Sequence, residues 1–289
     1  MINRVDVIGV PMDLGADRRG VDMGPSAIRY ARLHEQLKNM GIAEVKDHGN
    51  LHVPIAESSS LNGVNAKYLP VIKNVCNELA ALVDKTVRGG GFPIVLGGDH
   101  SIAIGTLAGL YRSRGQAAGL VWIDAHGDIN TPVTSPSGNV HGMPLSFALE
   151  AGHADPKHTV LIGLRDVDTG EKKAIRELGV STFSMTDLDR MGMTAVMQQA
   201  LDIVGRGQRS VHVSFDMDGI DPSEAPGVGT PVKGGISYRE AHVAMEMLAD
   251  SGALGSIEIT EINPILDREN QTAILAVELI LSGLGKSIL

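Results

Sequence analysis

Gly119-Leu120-Val121-Trp122-Ile123-Asp124-Ala125-His126-Gly127-Asp128 decides the fold. Its first half is a short apolar run bounded by polar residues. That is the signature of a strand covered on both faces, as strands of parallel sheets are. Its second half places Asp124, His126 and Asp128 at every other position, so in an extended chain the three side chains point the same way. Open parallel sheets bind ligands in the crevice beyond the carboxyl ends of their strands. The segment therefore predicts a buried strand and a site at its end.

Working outward, similar apolar runs occupy residues 5–10, 92–96, 159–164, 211–215 and 256–261. Between them lie stretches of helical period. Tyr30, Leu33, Leu37 and Met40 recur three and four apart behind Pro25, which suits a first helical turn. Leu69, Ile72, Cys76, Leu79, Val83 and Val87 repeat the pattern, and Ser237 with Glu240 has capping-box spacing ahead of residues 241–248. Alternation of this kind predicts an α/β fold on a parallel sheet. No repeat, low-complexity tract or long linker interrupts it, so residues 1–289 are expected to form a single catalytic domain.

Composition narrows the partners. Lys and Arg number 25 against 34 Asp and Glu, a net charge of −9, with no basic tract to track a phosphate backbone. Nucleic acid is not an expected partner. No run of about eighteen apolar residues and no leader-like start is present, so no membrane span or secretion signal is expected. The lone Cys76 sits among apolar residues as a small core group, which fits a cytoplasmic setting.

Two further strand ends carry the same polar device. After Leu96 comes Gly97-Gly98-Asp99-His100-Ser101, and after Phe215 comes Asp216-Met217-Asp218-Gly219-Ile220-Asp221-Pro222, where Asp216 and Asp218 again share a face. Taken singly, a histidine after a strand often serves as a structural hydrogen-bonding group, and loop carboxylates often cap helices or pair with arginine. Converging, Asp124, Asp128, Asp216 and Asp218 would repel and desolvate one another at great cost unless cations neutralise them. Two divalent cations offset the four charges. A donor set of four carboxylates and two imidazoles suits Mn²⁺ better than thiolate zinc sites or all-oxygen calcium sites. Such a pair can activate a shared water as hydroxide near neutral pH, so no serine or cysteine nucleophile is needed.

These motifs, in this order, resemble the ureohydrolase family and match its arginase branch most closely. Gly9-Val10-Pro11-Met12-Asp13-Leu14-Gly15 at the start and Glu261-Ile262-Asn263-Pro264 near the end extend the resemblance over nearly the whole chain. It implies a three-layer α/β/α sandwich with a mainly parallel sheet of about eight strands. It also implies hydrolysis of L-arginine to L-ornithine and urea by a hydroxide bridging two Mn²⁺ ions, held by His100, Asp124, His126, Asp128, Asp216 and Asp218. By the same resemblance, Asp128 relays the proton to the leaving amine, His141 shuttles protons and Glu261 holds the guanidinium. A guanidinium carbon is a poor electrophile, so an oriented nucleophile, a paired carboxylate and an acid for the amine are each required.

The stretch from Asn130 to His141 resembles the arginase loop that reads the α-carboxylate, with Asn130, Ser137 and Asn139 as donors and Ser135 acting through water. Read alone, its Ser, Pro, Gly and Asn content makes an ordinary turn-rich loop. Asp168 resembles the acceptor of the α-amino group, with Glu171 assisting, and Thr230 is expected on the pocket floor. Three rivals stand beside this reading: an agmatinase or other guanidino-compound ureohydrolase, a catalytically inactive arginine-binding sensor, and a zinc-dependent deacetylase of related fold. The family's assemblies imply a homotrimer or homohexamer. The other histidines have no motif around them; His212 shares strand parity with Asp216 and is expected to pack beneath a helix.

Overall fold

The computed structural model describes residues 2–61, 63–207 and 210–286. Its strands are β1 (Arg4–Val10), β2 (Glu44–Asn50), β3 (Phe92–Gly97), β4 (Gly119–Ile123), β5 (Thr159–Leu164), β6 (Ser181–Ser184), β7 (Val211–Asp216) and β8 (Leu254–Thr260). They form one parallel sheet in the order β2-β1-β3-β8-β7-β4-β5-β6. The helices are α1 (Gly24–Tyr30), α2 (Leu33–Asn39), α3 (Leu69–Arg88), α4 (Ala103–Arg114), α5 (Pro144–Glu150), α6 (Thr169–Leu178), α7 (Met185–Met191), α8 (Met193–Val204), α9 (Tyr238–Asp250) and α10 (Gln271–Gly283).

Strand alternation divides the core. Val121 and Ile123 of β4 join a cluster with Ile28, Leu37, Val196, Leu248 and Ile280, from α1, α2, α8, α9 and α10. Leu120 and Trp122 face the other way, with Leu107 of α4 and Leu145 of α5, while Ile8 and Val95 meet Ile72 and Leu79 of α3 on that same side. The result is the expected α/β/α sandwich. Among the described residues no helix is long and apolar enough to cross a membrane.

Two strands lacked a sequence signal, β2 and β6, and both are edges of the sheet. The β2 sequence EVKDHGN is mostly exposed, and β6 is only STFS; an edge strand covered on few sides needs no apolar run, and polar or short edges resist pairing with other chains. The single helix expected across Tyr30 to Met40 is two helices, because Arg32 between them adopts φ 67° and turns the chain. Leu33 and Leu37 are buried as expected, whereas Tyr30 is 85% exposed. The strand expected at 256–261 ends one residue earlier, since Glu261 leaves it at φ 64°. The capping box of Ser237 and Glu240 forms at the start of α9.

Candidate active site

Sheet order explains why motifs far apart in sequence meet. The chain passes from β3 to β4 across a gap that β7 and β8 later fill, so β3, β8, β7 and β4 become neighbours in the centre of the sheet. Register aligns their ends: Leu96 pairs with Ile259, Asp216 with Thr260, and Ile123 with Phe215. His100, Glu261, Asp216 with Asp218, and Asp124 to Asp128 therefore emerge side by side. This is the switch-point crevice of an open α/β sheet.

Six of these side chains fall into two groups able to hold a metal ion. His100, Asp124, Asp128 and Asp216 form one; Asp124, His126 and Asp218 form the other, and Asp124 belongs to both. His100 Nδ1 lies 3.3 Å from Asp124, 3.1 Å from Asp128 and 3.0 Å from Asp216. His126 Nδ1 lies 3.3 Å from Asp124 and 3.1 Å from Asp218. The buried His100 Nδ1 has no hydrogen-bond partner. A buried, unpartnered imidazole nitrogen facing three carboxylates is the donor that a divalent cation would satisfy, and the residues present fit a two-metal set.

Electrostatics point the same way. Burial and the Asp124 carboxylate push Asp128 up to about 7. Burial and Asp218 push Asp216 well above its ordinary value, and burial with Asp124 raises Asp218. Asp124 falls despite its burial, because the His100 and His126 imidazoles both lie against it at 3.3 Å. His100 and His126 rise despite theirs, held by the surrounding carboxylates. Left to itself the cluster neutralises by binding protons, and those protons are what a cation displaces.

Neighbouring groups fix how the ligands point. Trp122 Nε1 donates to Asp124 Oδ2 at 2.9 Å, the His126 amide donates to Asp124 Oδ1 at 2.7 Å, and the Asp218 amide donates to Asp216 Oδ1 at 2.8 Å. Trp122 also stacks on His100, with ring centroids 4.1 Å apart. On its far side His100 Nε2 meets Ser214 Oγ at 2.8 Å, Ser214 donates to Glu258 at 2.9 Å, and Thr106 closes on the other Glu258 oxygen. Sequence reasoning missed Trp122, Ser214 and Glu258. The available signal was parity, since Trp122 and Ser214 each stand two residues before a ligand on the same strand face.

Over the cluster opens a cavity of about 260 Å³ lined by Asn130, Ser137, His141, Asp168, Glu171 and Thr230, together with Ser135 and four ligands, His126, Asp128, Asp216 and Asp218. That is small for a ligand pocket, which commonly measures roughly 300–1,000 Å³, and it suits an amino-acid-sized molecule. At one end, Ser135 Oγ accepts the Gly138 amide at 3.0 Å and Ser137 Oγ accepts the Asn139 amide at 3.2 Å. Both hydroxyls then keep their protons to donate. Asp168 and Glu171 form the capping box of α6, and Asn130 Nδ2 donates to Asp168 at 2.7 Å. Burial and the Asp128 charge push Glu171 up to about 7. Thr230 donates to Asp218 at 2.9 Å.

Glu261 Oε1 accepts from the His100 amide at 3.0 Å and lies 3.2 Å from His141 Nδ1. Burial lowers His141, yet its bond to Glu261 holds it up at about 9. Four sequence-predicted residues are not among those lining the cavity: His100, Asp124 and Glu261, which are buried beneath it, and Asn139, whose Oδ1 instead accepts from Lys67 at 2.9 Å.

An open parallel sheet with two carboxylate–imidazole groups sharing one aspartate at its switch point defines a class of α/β proteins built to hold paired metal ions. The chain belongs to the arginase family, whose model matches residues 3–285. It is 50% identical to the arginase of Bacillus subtilis (strain 168), with all of both chains covered. Among solved structures, it resembles native arginase from Bacillus caldovelox with a TM-score of 0.94 at 47% identity, covering 100% of each chain. It also resembles Entamoeba histolytica arginase in complex with L-ornithine, with a TM-score of 0.89 at 31% identity, covering 99% of this chain and 100% of that one.

Proposed function

We propose that this chain hydrolyses L-arginine to L-ornithine and urea with two Mn²⁺ ions held by His100, Asp124, His126, Asp128, Asp216 and Asp218. The observation that carries the reading is one cavity joining the paired ligand groups to a polar far end with both donors and acceptors. When bound, the two cations supply Lewis acidity and an activated water.

The chain's own residues do the rest. Glu261 has Oε1 engaged with His100 and His141, which leaves Oε2 to pair with the guanidinium and keep it charged and oriented. Asp128 takes the proton of the attacking water and gives it to the departing amine, so water adds across the C–N bond and the amine leaves neutral rather than as an anion. His141, at the cavity wall with 20% of its side chain exposed, exchanges that proton with solvent. Ser137, with Asn130 and Ser135, donates to the α-carboxylate; Asn139 supports this loop from behind. Asp168, with Glu171, accepts from the α-amino group, and Thr230 orients Asp218. Reading both ends of a free amino acid rejects analogues that lack either group, because the pocket's own polar groups are then left unpaired.

Cytoplasmic location and assembly as a homotrimer or homohexamer belong to the same reading; sedimentation would decide the assembly. The central test is urea release by the manganese-loaded protein offered L-arginine and agmatine in parallel at equal concentration. Fast hydrolysis of arginine with almost none of agmatine is expected. Preference for agmatine would overturn the carboxylate role of residues 130–139, and inactivity on both would favour an arginine-binding sensor.

A further inference from the structure

The loop whose serines face the cavity is held by a residue that does not itself line it. Lys67 Nζ donates to Asp17 Oδ1 at 2.7 Å and to Asn139 Oδ1 at 2.9 Å. The Asn139 amide also lies against Asp17, whose carboxyl is held below its ordinary range first by Lys67 and then by that amide. Three segments meet at this clasp: the turn after β1 through Asp17, the approach to α3 through Lys67, and the 135–139 loop through Asn139.

Backbone contacts reinforce it. The amides of Ala66 and Lys67 both donate to the Gly138 carbonyl, at 3.1 and 2.9 Å. Gly138 sits at φ 71°, and a Cβ there would fall on the Val64 carbonyl oxygen. The residues flanking Lys67, Ala66 at φ 88° and Tyr68 at φ 55°, are non-glycine residues in left-handed backbone. Strain of this kind persists where surrounding contacts over-determine a conformation, and it concentrates at ligand sites. The Lys67 side chain is mostly covered, whereas its Asp17 partner is exposed.

We propose that Lys67 is a specificity-determining positioning residue. By joining Asp17 to Asn139 it fixes the 135–139 loop in the shape that aims the Ser135 and Ser137 hydroxyls at a substrate carboxylate. The inference rests on reading that loop as the carboxylate end of the pocket. Asp17 offsets the ammonium charge, so Lys67 acts through geometry rather than as a free cation. The metal ligands lie on other segments and are untouched by the clasp.

The test uses the full chain with manganese. Lys67→Met keeps the aliphatic stem and removes the bonds. For L-arginine its KM should rise roughly tenfold while kcat stays within about twofold, since a lost charge-assisted hydrogen bond is of that order and the chemistry end is unaltered. The calorimetric Kd of L-ornithine should weaken by the same factor, and Lys67→Arg should restore most of both. Adding Asp17→Asn to Lys67→Met should leave the loss in place; recovery there would mean that bare Asp17 repels the ligand, and would overturn the positioning role. Unchanged KM and Kd in a folded Lys67→Met protein would overturn it too, as would kcat falling together with KM. If Lys67→Met fails to fold, Asn139→Ala removes the contact from its other side and must give the same split. Ornithine binding is measured without turnover, so an unaltered protein inactive on arginine would sink the functional reading while the binding comparison still decides this one.

Discussion

Asp128 and Glu261 are the two site residues held at positive φ, 49° and 64°. For a side chain with a Cβ this conformation costs roughly 1–3 kcal/mol, and at both positions it bends the chain out of its strand direction so that the carboxylate turns into the crevice. The strain therefore belongs to the placement of the two groups that we propose carry the proton relay and hold the guanidinium. Asp128→Asn keeps the shape but can neither accept the water's proton nor contribute its charge. Turnover should fall at least roughly a thousandfold, and manganese titration should show weaker binding; near-normal kcat would remove Asp128 from the relay. Asp168 is different in kind. It touches the far end of the cavity and caps α6 through Glu171, so Asp168→Ala should raise KM for arginine by roughly ten- to a hundredfold, the worth of a charged hydrogen bond, with a smaller change in kcat. Steady-state kinetics that placed the whole effect in kcat would move Asp168 to the chemical step.

At the scale of elements, the close approach of the β1 and β3 termini is what lets His100 reach the cluster. An added Cβ at Gly98 would fall on the Met12 carbonyl oxygen, and the Gly98 and Asp99 amides bond to Val10 and Met12. Gly98→Ala should therefore lose several kcal/mol of stability, on the order of the larger effects of overpacking, and urea denaturation should show it; a midpoint unchanged from the parent would mean that the two loops can separate freely. β7 carries a second testable feature. His212 is buried, bonds to Ser256 at 2.9 Å and has no partner for Nε2; burial and then the Arg114 charge lower it from 6.5 to about 3. Because the unfolded chain takes up this proton more readily, stability should fall as pH drops from 6.5 towards 3. Replacing His212 with Leu should flatten that part of the stability profile, and an unaltered slope would show that other groups set it. The elements legible in sequence were those whose burial demanded a pattern. Six strands with covered faces read as apolar runs, while β2 and β6, at the edges, are too polar or too short to do so. The ligands were legible because like charges in close spacing need an explanation. Trp122, Ser214 and Glu258 support those ligands, and Lys67 holds Asn139, from ordinary-looking contexts, and only the pairing of β4, β7 and β8 and the folding of residues 64–68 onto Gly138 bring them into contact.

For the molecule as a whole, the centre of the sheet ends in four carboxylates with two imidazoles, nearly all buried, on strands whose flanks are apolar. Stability and function are thereby linked. Without cations the cluster must hold protons or bear repulsion, as the raised Asp128, Asp216 and Asp218 show, and the unfolded chain has no such site to fill. Metal binding to the folded state alone stabilises it by about 2.7 kcal/mol per site when free metal is a hundred times Kd. For a chain of this size about 2 °C of melting temperature accompanies each kcal/mol, so filling both sites should raise it by roughly 10 °C. Scanning calorimetry of the protein with excess manganese and after exhaustive chelation measures that difference. A second, smaller step on adding metal back would report unequal sites, in keeping with one group having four ligands and the other three. Equal melting temperatures with and without metal would mean that the carboxylates are stabilised by something other than cations, and the paired-metal reading of the strand ends would have to be abandoned.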